Sequence, residues 1–239
     1  RGLGDVYKRQ VMGLVGESGS GKSVTAKSLM QLNADNTVYA PGSRITLSLD
    51  GGAVDVLKLR SARDLRIVRG GAVSMIFQEP MASFAPAITV GDQMVEQLML
   101  HKRMSKRAAR DHSIHMLERV GISDASKRFG QYAFELSGGM RQRAMIALAL
   151  ACRPKLLLAD EPTTALDATV QIQVLLLLAQ LQAELGLSII FVTHDVGVAI
   201  EVSSRLAVMY GGQIVETGPL AKVVDQPNHP YTQGLLAST

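Results

Sequence analysis

The stretch "VMGLVGESGSGKSVTAKSLM" (residues 11–30) decides the fold. It begins with a short apolar run, passes through a glycine-rich turn and continues with the pattern of a helix. Its centre, "GESGSGKS" (residues 16–23), matches the pattern G-x-x-x-x-G-K-[ST] in full. A strand, a glycine-rich turn and a helix in this order predict a phosphate-binding loop for a nucleoside triphosphate.

The residue types in this loop fit the chemistry of a phosphate site. Glycines allow backbone N–H groups to surround a phosphate without a Cβ in the way. Lys22 is suited to bridge β- and γ-phosphate oxygens, and Ser23 to bind Mg²⁺. The predicted nucleotide-binding residues here are Gly16, Glu17, Ser18, Gly19, Ser20, Gly21, Lys22 and Ser23.

Two acidic residues follow a second buried strand. The stretch "LLLADEP" places Asp160 and Glu161 at the carboxyl end of this strand, where parallel α/β sheets bind ligands. We predict that Asp160 holds Mg²⁺ and that Glu161 accepts a proton from the attacking water. The alternative is that both acids only cap a helix, since Pro162 comes next.

Two further strands end at polar residues. "SIIFVT" is followed by His194, which we expect to contact the γ-phosphate, although a histidine at a strand end is often structural. "AVSMIF" is followed by Gln78, whose amide is suited to Mg²⁺ or to the attacking water. Each residue is a weak signal alone, and the set at strand ends is a strong one.

A second anion site is indicated by "ELSGGMRQRA" (residues 135–144). Ser137, Gly138 and Gly139 stand at the head of an apolar helical run. The unpaired N–H groups and the positive dipole end of such a helix favour an anion. A chain with one phosphate loop has no evident need for this second site as a monomer.

Short apolar runs alternate with helices along the chain, which predicts a parallel sheet covered on both faces. Glycine pairs indicate antiparallel hairpins in residues 44–59 and 205–218. We predict an α/β nucleotide-binding core interrupted by a helical insertion. The predicted units are residues 11–87 (core), 88–150 (helical subdomain) and 151–239 (core and tail).

The first ten residues, "RGLGDVYKRQ", are treated separately. Their end resembles the translation of a transposon-end adapter, so we interpret residues 1–10 as a non-native segment. The alternative is a genuine N-terminal strand. The segment contributes part of the formal net charge of +4, so the basic balance is a weak indication of nucleic-acid binding.

Composition indicates a globular protein of a reducing compartment. Hydrophobic residues make up 47% of the 239 residues, and no uninterrupted apolar run approaches the roughly 18 residues of a membrane span. The single Cys152 excludes an internal disulfide and is interpreted as a buried, inert thiol. The basic residues between 102 and 110 are interpreted as a solvated helix face, the alternative being a nucleic-acid patch.

On these motifs the chain resembles the ATP-binding subunits of ABC transporters over essentially all of residues 11–239. "GESGSGKS" matches the family's Walker A, "LLLADE" its Walker B, and "LSGGMRQR" its signature. Gln78 matches the Q-loop, "ALD" (165–167) the D-loop, and His194 the switch histidine. The resemblance implies a P-loop NTPase (RecA-like) fold, ATP and Mg²⁺ as cofactors, and ATP hydrolysis.

The resemblance also assigns the site residues. It implies Glu161 and His194 as catalytic residues, and Ser23, Gln78 and Asp160 as metal ligands. Residues implied to reach the ATP held by a partner subunit are Ser137, Gly138, Gly139, Gln142 and Asp167. In a head-to-tail pair the second anion site then faces the partner's phosphate loop.

"FQEPM", "ADEPTTALD" and the tail "PNHPYTQGLL" are similar to the dipeptide/oligopeptide importer branch, which includes nickel and glutathione importers. This implies a second ATPase subunit, preferably a paralogue, two transmembrane permeases and an extracytoplasmic solute-binding protein. The place of action is then the cytoplasmic face of the cell membrane, with no nucleic-acid partner. From its residues alone, the tail is interpreted as a proline-rich turn with a hydrophobic end.

The chain departs from the branch at several points. Ala133 and Phe134 stand where Pro-His is usual, and Ala85 where Asn is common. The branch's N-terminal strands and adenine-stacking aromatic residue are expected where residues 1–10 stand, and some members extend beyond Thr239. Chromosome- and repair-type ATPases insert long coiled coils between the phosphate loop and the signature, and translation-factor ATPases carry two cassettes. This chain shows neither feature, so both alternatives are disfavoured.

Overall fold

The computed structural model describes residues 10–49, 51–164 and 167–238. The predicted non-native segment lies outside the described residues except for Gln10. Ala165 and Leu166 of the predicted D-loop also lie outside them.

The described chain alternates strands and helices. The strands are β1 (Val11–Val15), β2 (Thr46–Leu49), β3 (Gly52–Asp55), β4 (Val73–Ile76), β5 (Leu156–Asp160), β6 (Ser188–Thr193), β7 (Arg205–Tyr210) and β8 (Gln213–Pro219). The α-helices are α1 (Lys22–Ser28), α2 (Ala62–Val68), α3 (Val90–Lys102), α4 (Lys106–Arg119), α5 (Ala125–Phe129), α6 (Gly138–Leu150), α7 (Ala168–Leu185), α8 (Val196–Val202), α9 (Leu220–Asp225) and α10 (Pro230–Ala237).

The main sheet has the strand order β4-β5-β6-β1-β7-β8. Strands β4, β5, β6, β1 and β7 are parallel, and β8 joins β7 antiparallel through the turn at Gly211 and Gly212. Strands β2 and β3 form a separate antiparallel hairpin. The predicted parallel sheet and both predicted hairpins are therefore confirmed.

Successive residues of the central strands face opposite sides of the sheet, as the period of two requires. Leu157 and Ile189 belong to a core shared with α6, α7 and the helices between residues 90 and 129. Leu158 and Ile190 belong to a second core on the other face, with Met30 just after α1. Burying each such side chain stabilises the fold by about 1.5–3 kcal/mol.

Helices α3 to α6 form the predicted helical insertion. Thr89, Ser105 and Ser137 cap α3, α4 and α6 through side-chain oxygens that accept backbone N–H groups. The helices pack closely, since a Cβ at Gly91 of α3 would lie 2.3 Å from the Phe129 ring. Cys152 follows α6 and is fully buried, and its burial raises the pKa of the thiol to about 11. The thiol is thus buried and protonated at neutral pH, as expected.

Helix α7 begins after its cap Asp167 and ends at Gly186, which adopts a left-handed conformation. By length and composition this helix is apolar enough to cross a membrane. The prediction that no apolar run approaches the length of a membrane span did not identify it. Its apolar face is buried inside the chain at Val174, Leu178 and Leu181. A core helix of a globular domain can meet the same test of length and composition.

The C-terminal tail differs from its prediction. The stretch "PNHPYTQGLL" folds as a short proline-containing segment followed by α10, so its hydrophobic end is helical. Pro230 opens α10 at a position where its missing N–H costs nothing. Leu220 and Leu235 pack on a small core around Val208 and Val223 beside β7 and β8. The tail is thereby attached to the side of the sheet formed by β7 and its edge strand β8.

Candidate nucleotide site at the strand ends

The site lies at the carboxyl ends of four adjacent strands, β4, β5, β6 and β1. The register aligns these ends, because Asp160 pairs with Val192 and Val15 pairs with Thr193. The residues that follow the strands therefore lie close to one another. This confirms the prediction that the strands before Glu161 and His194 are neighbours.

The phosphate loop has the backbone that its glycines permit. Gly16 has φ +153°, and a Cβ there would lie 2.1 Å from the carbonyl oxygen of Met209. Gly19 has φ +81°, and nothing lies within 4 Å of the position of its absent Cβ. The loop thus rests tightly on β7 at one end and is open at its crest. Glu17, Ser18 and Gly19 are exposed there, as a loop that receives a ligand requires.

Lys22 is held beneath this loop. Its Nζ atom donates to the carbonyl oxygens of Gly16 and Glu17, each at 2.8 Å, and the residue is buried. Burial lowers the pKa of the Lys22 amine, against the opposing attraction of the Glu161 and Asp160 carboxylates. The loop carbonyls therefore hold the lysine beneath the phosphate loop.

Ser23 and Asp160 form a direct pair. The Ser23 hydroxyl donates to Asp160 Oδ1 at 2.8 Å. Burial raises the pKa of the Asp160 carboxyl, although the Ser23 hydrogen bond and the nearby Lys27 lower it in part. A buried carboxylate beside a hydroxyl gives two hard oxygen ligands, which Mg²⁺ prefers.

These residues fit a Mg–nucleotide complex. The Ser20 hydroxyl is buried and makes no hydrogen bond to any described residue, so its hydrogen-bonding capacity is unsatisfied. No three described His, Cys, Asp or Glu side chains cluster as a metal site. Mg²⁺ commonly uses one or two protein ligands together with substrate phosphates and water, so a one-carboxylate site suits it.

Glu161 is the centre of a hydrogen-bonded cluster. Its Oε1 atom lies 3.2 Å from His194 Nδ1. Its Oε2 atom accepts from Gln78 Nε2 at 3.2 Å and from the Thr164 hydroxyl at 2.9 Å. Glu161 has φ +48°, a strained conformation for a non-glycine residue of the kind found at functional sites. In this structure Gln78 contacts Glu161 rather than Ser23 or Asp160.

Thr164 was missed by sequence reasoning. A turn in which the Thr164 N–H donates to the Glu161 carbonyl at 3.2 Å brings its hydroxyl back to the carboxylate. The stretch "EPTT" signals such a turn through its proline, but the hydroxyl contact depends on the unusual backbone of Glu161.

The predicted second anion site is on the surface. Ser137 and Gly138 are exposed, and the Ser137 hydroxyl accepts the Met140 N–H at 3.4 Å. Nothing lies within 4 Å of the position of a Gly138 Cβ. No hydrogen bond between described residues joins this helix start to the phosphate loop. The helix N-terminus is therefore free to meet a second molecule.

Gln142 and Asp167 have local contacts. Gln142 is buried, and its amide donates to the Pro162 carbonyl, which follows Glu161. This placement favours a role in holding α6 against the Glu161 segment over a direct contact with a partner's nucleotide. Asp167 is exposed, and its carboxylate accepts the Val170 N–H at 2.9 Å.

Comparison with known proteins decides the family. The profile of a family described as "ABC transporter" matches residues 4–164. A peptide import ATP-binding protein of Brucella melitensis is 50% identical over 229 residues, which span 96% of this chain and 68% of the relative. The chain belongs to the ABC transporter family.

Other relatives of this ABC protein are named for related solutes. A dipeptide transport ATP-binding protein of Bacillus subtilis is 47% identical over 234 residues, spanning 98% of this chain and 68% of the relative. A glutathione import ATP-binding protein of Pectobacterium atrosepticum is 48% identical over 237 residues, spanning 98% of this chain and 37% of the relative.

A solved structure places the same fold in a hydrolysis cycle. An ATP-binding cassette determined as a dimer in a post-hydrolysis state, bound to ADP and Pi, superposes with a TM-score of 0.74. It is 26% identical and the match covers 90% of this chain and 88% of that one. The predicted P-loop NTPase fold is confirmed, and the ABC protein described here is an ATPase.

Proposed function

We propose that this ATPase powers the uptake of di- or oligopeptides as the ATP-hydrolysing subunit of an ABC importer. The observation that carries the ATPase mechanism is the Glu161 cluster beside the phosphate loop. The relatives named for peptide and dipeptide transport support the solute class. Glutathione, itself a small peptide, is the second candidate, because one relative is named for its import.

ATP binding follows from the phosphate loop. Its N–H groups surround the phosphates, and Lys22 exchanges the carbonyls of Gly16 and Glu17 for phosphate oxygens. Ser23 and Asp160 hold Mg²⁺, which when bound neutralises charge on the phosphates. The buried Ser20 hydroxyl gains the partner that it lacks among the described residues.

Hydrolysis depends on Glu161. Its carboxylate accepts a proton from the attacking water, and His194 and Gln78 orient the water and the γ-phosphate. In this structure Glu161 accepts from Gln78 and Thr164 at Oε2 and contacts His194 at Oε1. Each carboxylate oxygen has two lone pairs, so Oε1 retains a site for the attacking water while His194 stays in contact.

We further propose that two subunits enclose each ATP. The exposed start of α6 offers unpaired N–H groups at Ser137, Gly138 and Gly139, which suit a γ-phosphate held by a partner subunit. The superposed cassette was solved as a dimer. Asp167 is exposed and accepts the N–H of Val170, whose side chain lies beside Gly139.

The remaining partners follow from the proposed importer. Two transmembrane permeases hold the ATPase pair at the cytoplasmic face of the membrane, and an extracytoplasmic protein delivers the solute. The region from Gln78 through Gly91 connects the Glu161 cluster to α6 and α3. Gln78 contacts Glu161, Ser83 contacts Met145 of α6, and the Ala85 N–H donates to Gln93 of α3. This region is suited to report the nucleotide state to a permease.

Uptake of a labelled dipeptide by cells carrying the complete operon tests the proposal. Lys22→Ala should abolish uptake because it removes the phosphate-loop cation, whereas the exposed Lys58→Ala serves as the matched control. Labelled glutathione is assayed in parallel. Lys22-dependent uptake of glutathione without uptake of any dipeptide or oligopeptide would replace the peptide assignment by the second candidate.

A further inference from the structure

We propose that Tyr231, in the C-terminal tail, is a positioning residue that fixes the first turn of the phosphate loop. The inference rests on ATP binding by this chain and is independent of which solute is transported. It gives a role to the tail "PNHPYTQGLL", which the mechanism above does not use.

The contact joins the tail to the site across the length of the chain. The Glu17 N–H donates to the Tyr231 hydroxyl oxygen at 3.1 Å. Glu17 is the second residue of "GESGSGKS" and is exposed, so this N–H has no partner from regular secondary structure. The tail therefore satisfies a backbone donor within the phosphate loop.

Tyr231 is itself held in place from several sides. Its ring lies 4.5 Å from the Tyr210 ring, centroid to centroid, at the end of β7. Its backbone N–H donates to His229 Nδ1 at 3.1 Å, which caps α10. Glu216 of β8 accepts the N–H groups of Asn228 and His229 at 2.9 and 3.1 Å. The hydroxyl is thus anchored to the sheet rather than carried on a free tail.

Glu17 connects this anchor to Lys22 of the phosphate loop. Its N–H contacts Tyr231 while its carbonyl oxygen accepts from Lys22 Nζ at 2.8 Å. Gly16, the residue before Glu17, packs against the Met209 carbonyl of β7. The tail and β7 therefore contact the start of the loop from two directions. Loss of the Tyr231 hydroxyl should loosen the loop where it must be ordered to receive phosphates.

Tyr231→Phe is the direct test because it keeps the ring and removes only the hydroxyl. The matched control is Tyr210→Phe, which removes a hydroxyl from the ring that contacts Tyr231 and leaves the Glu17–Tyr231 hydrogen bond in place. We expect Tyr231→Phe to raise the Kd and KM for Mg–ATP about threefold to tenfold, the range for one lost hydrogen bond. The kcat of the assembled transporter should change less than about twofold, since the groups around Glu161 are untouched.

A second readout needs no nucleotide. Amide hydrogen exchange at Glu17 should accelerate in Tyr231→Phe and stay unchanged in Tyr210→Phe. A merely structural tail would instead lower the melting temperature and the active fraction, with the KM for ATP unaltered. Unchanged Glu17 exchange, an unchanged KM, or an equal effect of the two variants on KM would overturn the proposal, and none of these results bears on the solute.

Discussion

The carboxylate of Glu161 and the ring of His194 contact each other, with Nδ1 lying 3.2 Å from Oε1. The Glu161 side chain is 15% exposed and the His194 side chain 58%, so the histidine is the more accessible member of the pair. Gln78 and Thr164 hold the other carboxylate oxygen. These contacts fix the orientation of the proposed base.

His194→Ala should reduce ATP hydrolysis by about 10²–10³-fold, the effect of removing one donor that stabilises charge in a transition state. ATP binding should change little, because His194 contacts Glu161 whereas the phosphate loop is held by Lys22 and by Met209 of β7. Steady-state phosphate release and ATP affinity measure the two effects. His115→Ala, at an exposed position on α4, is the control, and a wild-type rate for His194→Ala would exclude the histidine from the chemistry.

Asp160→Asn should stabilise the nucleotide-free chain and abolish Mg²⁺-dependent hydrolysis. Burial raises the pKa of Asp160, so the ionised carboxylate destabilises the folded chain. The protonated carboxyl stabilises the folded chain fully at pH values below the pKa that Asp160 has in the unfolded chain. This stabilisation is lost as the pH rises through the higher pKa of the folded chain. Asparagine does not ionise, so the variant avoids this loss of folding stability. Each kcal/mol of stability gained at neutral pH raises the melting temperature by about 2–4 °C.

The same group gives a pH dependence for the metal. Mg²⁺ requires the ionised carboxylate, so the affinity for Mg–ATP should fall as the pH is lowered. Because the pKa of Asp160 is raised, this fall should begin at a higher pH than the titration range of an exposed aspartate. Thermal unfolding and Mg–ATP titration over pH measure both effects. A lower melting temperature in Asp160→Asn would contradict the argument from burial.

Two glycines of the phosphate loop should respond differently to alanine. Gly16→Ala places a Cβ 2.1 Å from the Met209 carbonyl and should cost about 1–3 kcal/mol or more through overpacking. Gly19→Ala meets no atom within 4 Å, so its cost is the left-handed backbone alone, about 1–2 kcal/mol. Its Cβ enters the open crest, however, so it should weaken ATP binding more than it lowers the melting temperature. Equal melting temperatures for the two variants would contradict the contact with Met209.

Gly139→Asp tests the second anion site. The substitution places a negative charge at the start of α6, where the proposed partner's γ-phosphate binds. ATP binding by the isolated chain should be unchanged, and hydrolysis by the assembled pair should fall at least about tenfold. Gly130→Asp, at an exposed position with an ordinary φ of −84°, is the control. Normal hydrolysis by the Gly139 variant would exclude the two-subunit site.

Much of the site followed from sequence because each element carries its own local signal. The glycine pattern of residues 16–23 predicted the loop, and the apolar strands before Asp160 and His194 predicted that these residues share one edge of the sheet. These signals involve neighbours in the chain or the general geometry of parallel sheets.

The contacts that sequence missed depend on tertiary packing. Thr164 reaches Glu161 only because Glu161 adopts a left-handed conformation, which no residue pattern specified. Tyr231 reaches Glu17 only because β7 and β8 carry the tail back beside the phosphate loop. The burial of Gln142 likewise follows from how α6 packs near Pro162.

The most direct test of the account is the rate of ATP hydrolysis by Glu161→Gln in the assembled transporter. The amide keeps the shape of the side chain and cannot accept the proton of water, so we predict a loss of at least about 10²-fold with ATP binding retained. The variant should accumulate as an ATP-dependent dimer with its partner. Hydrolysis at the wild-type rate would contradict the assignment of Glu161 as the base, and with it the proposed mechanism.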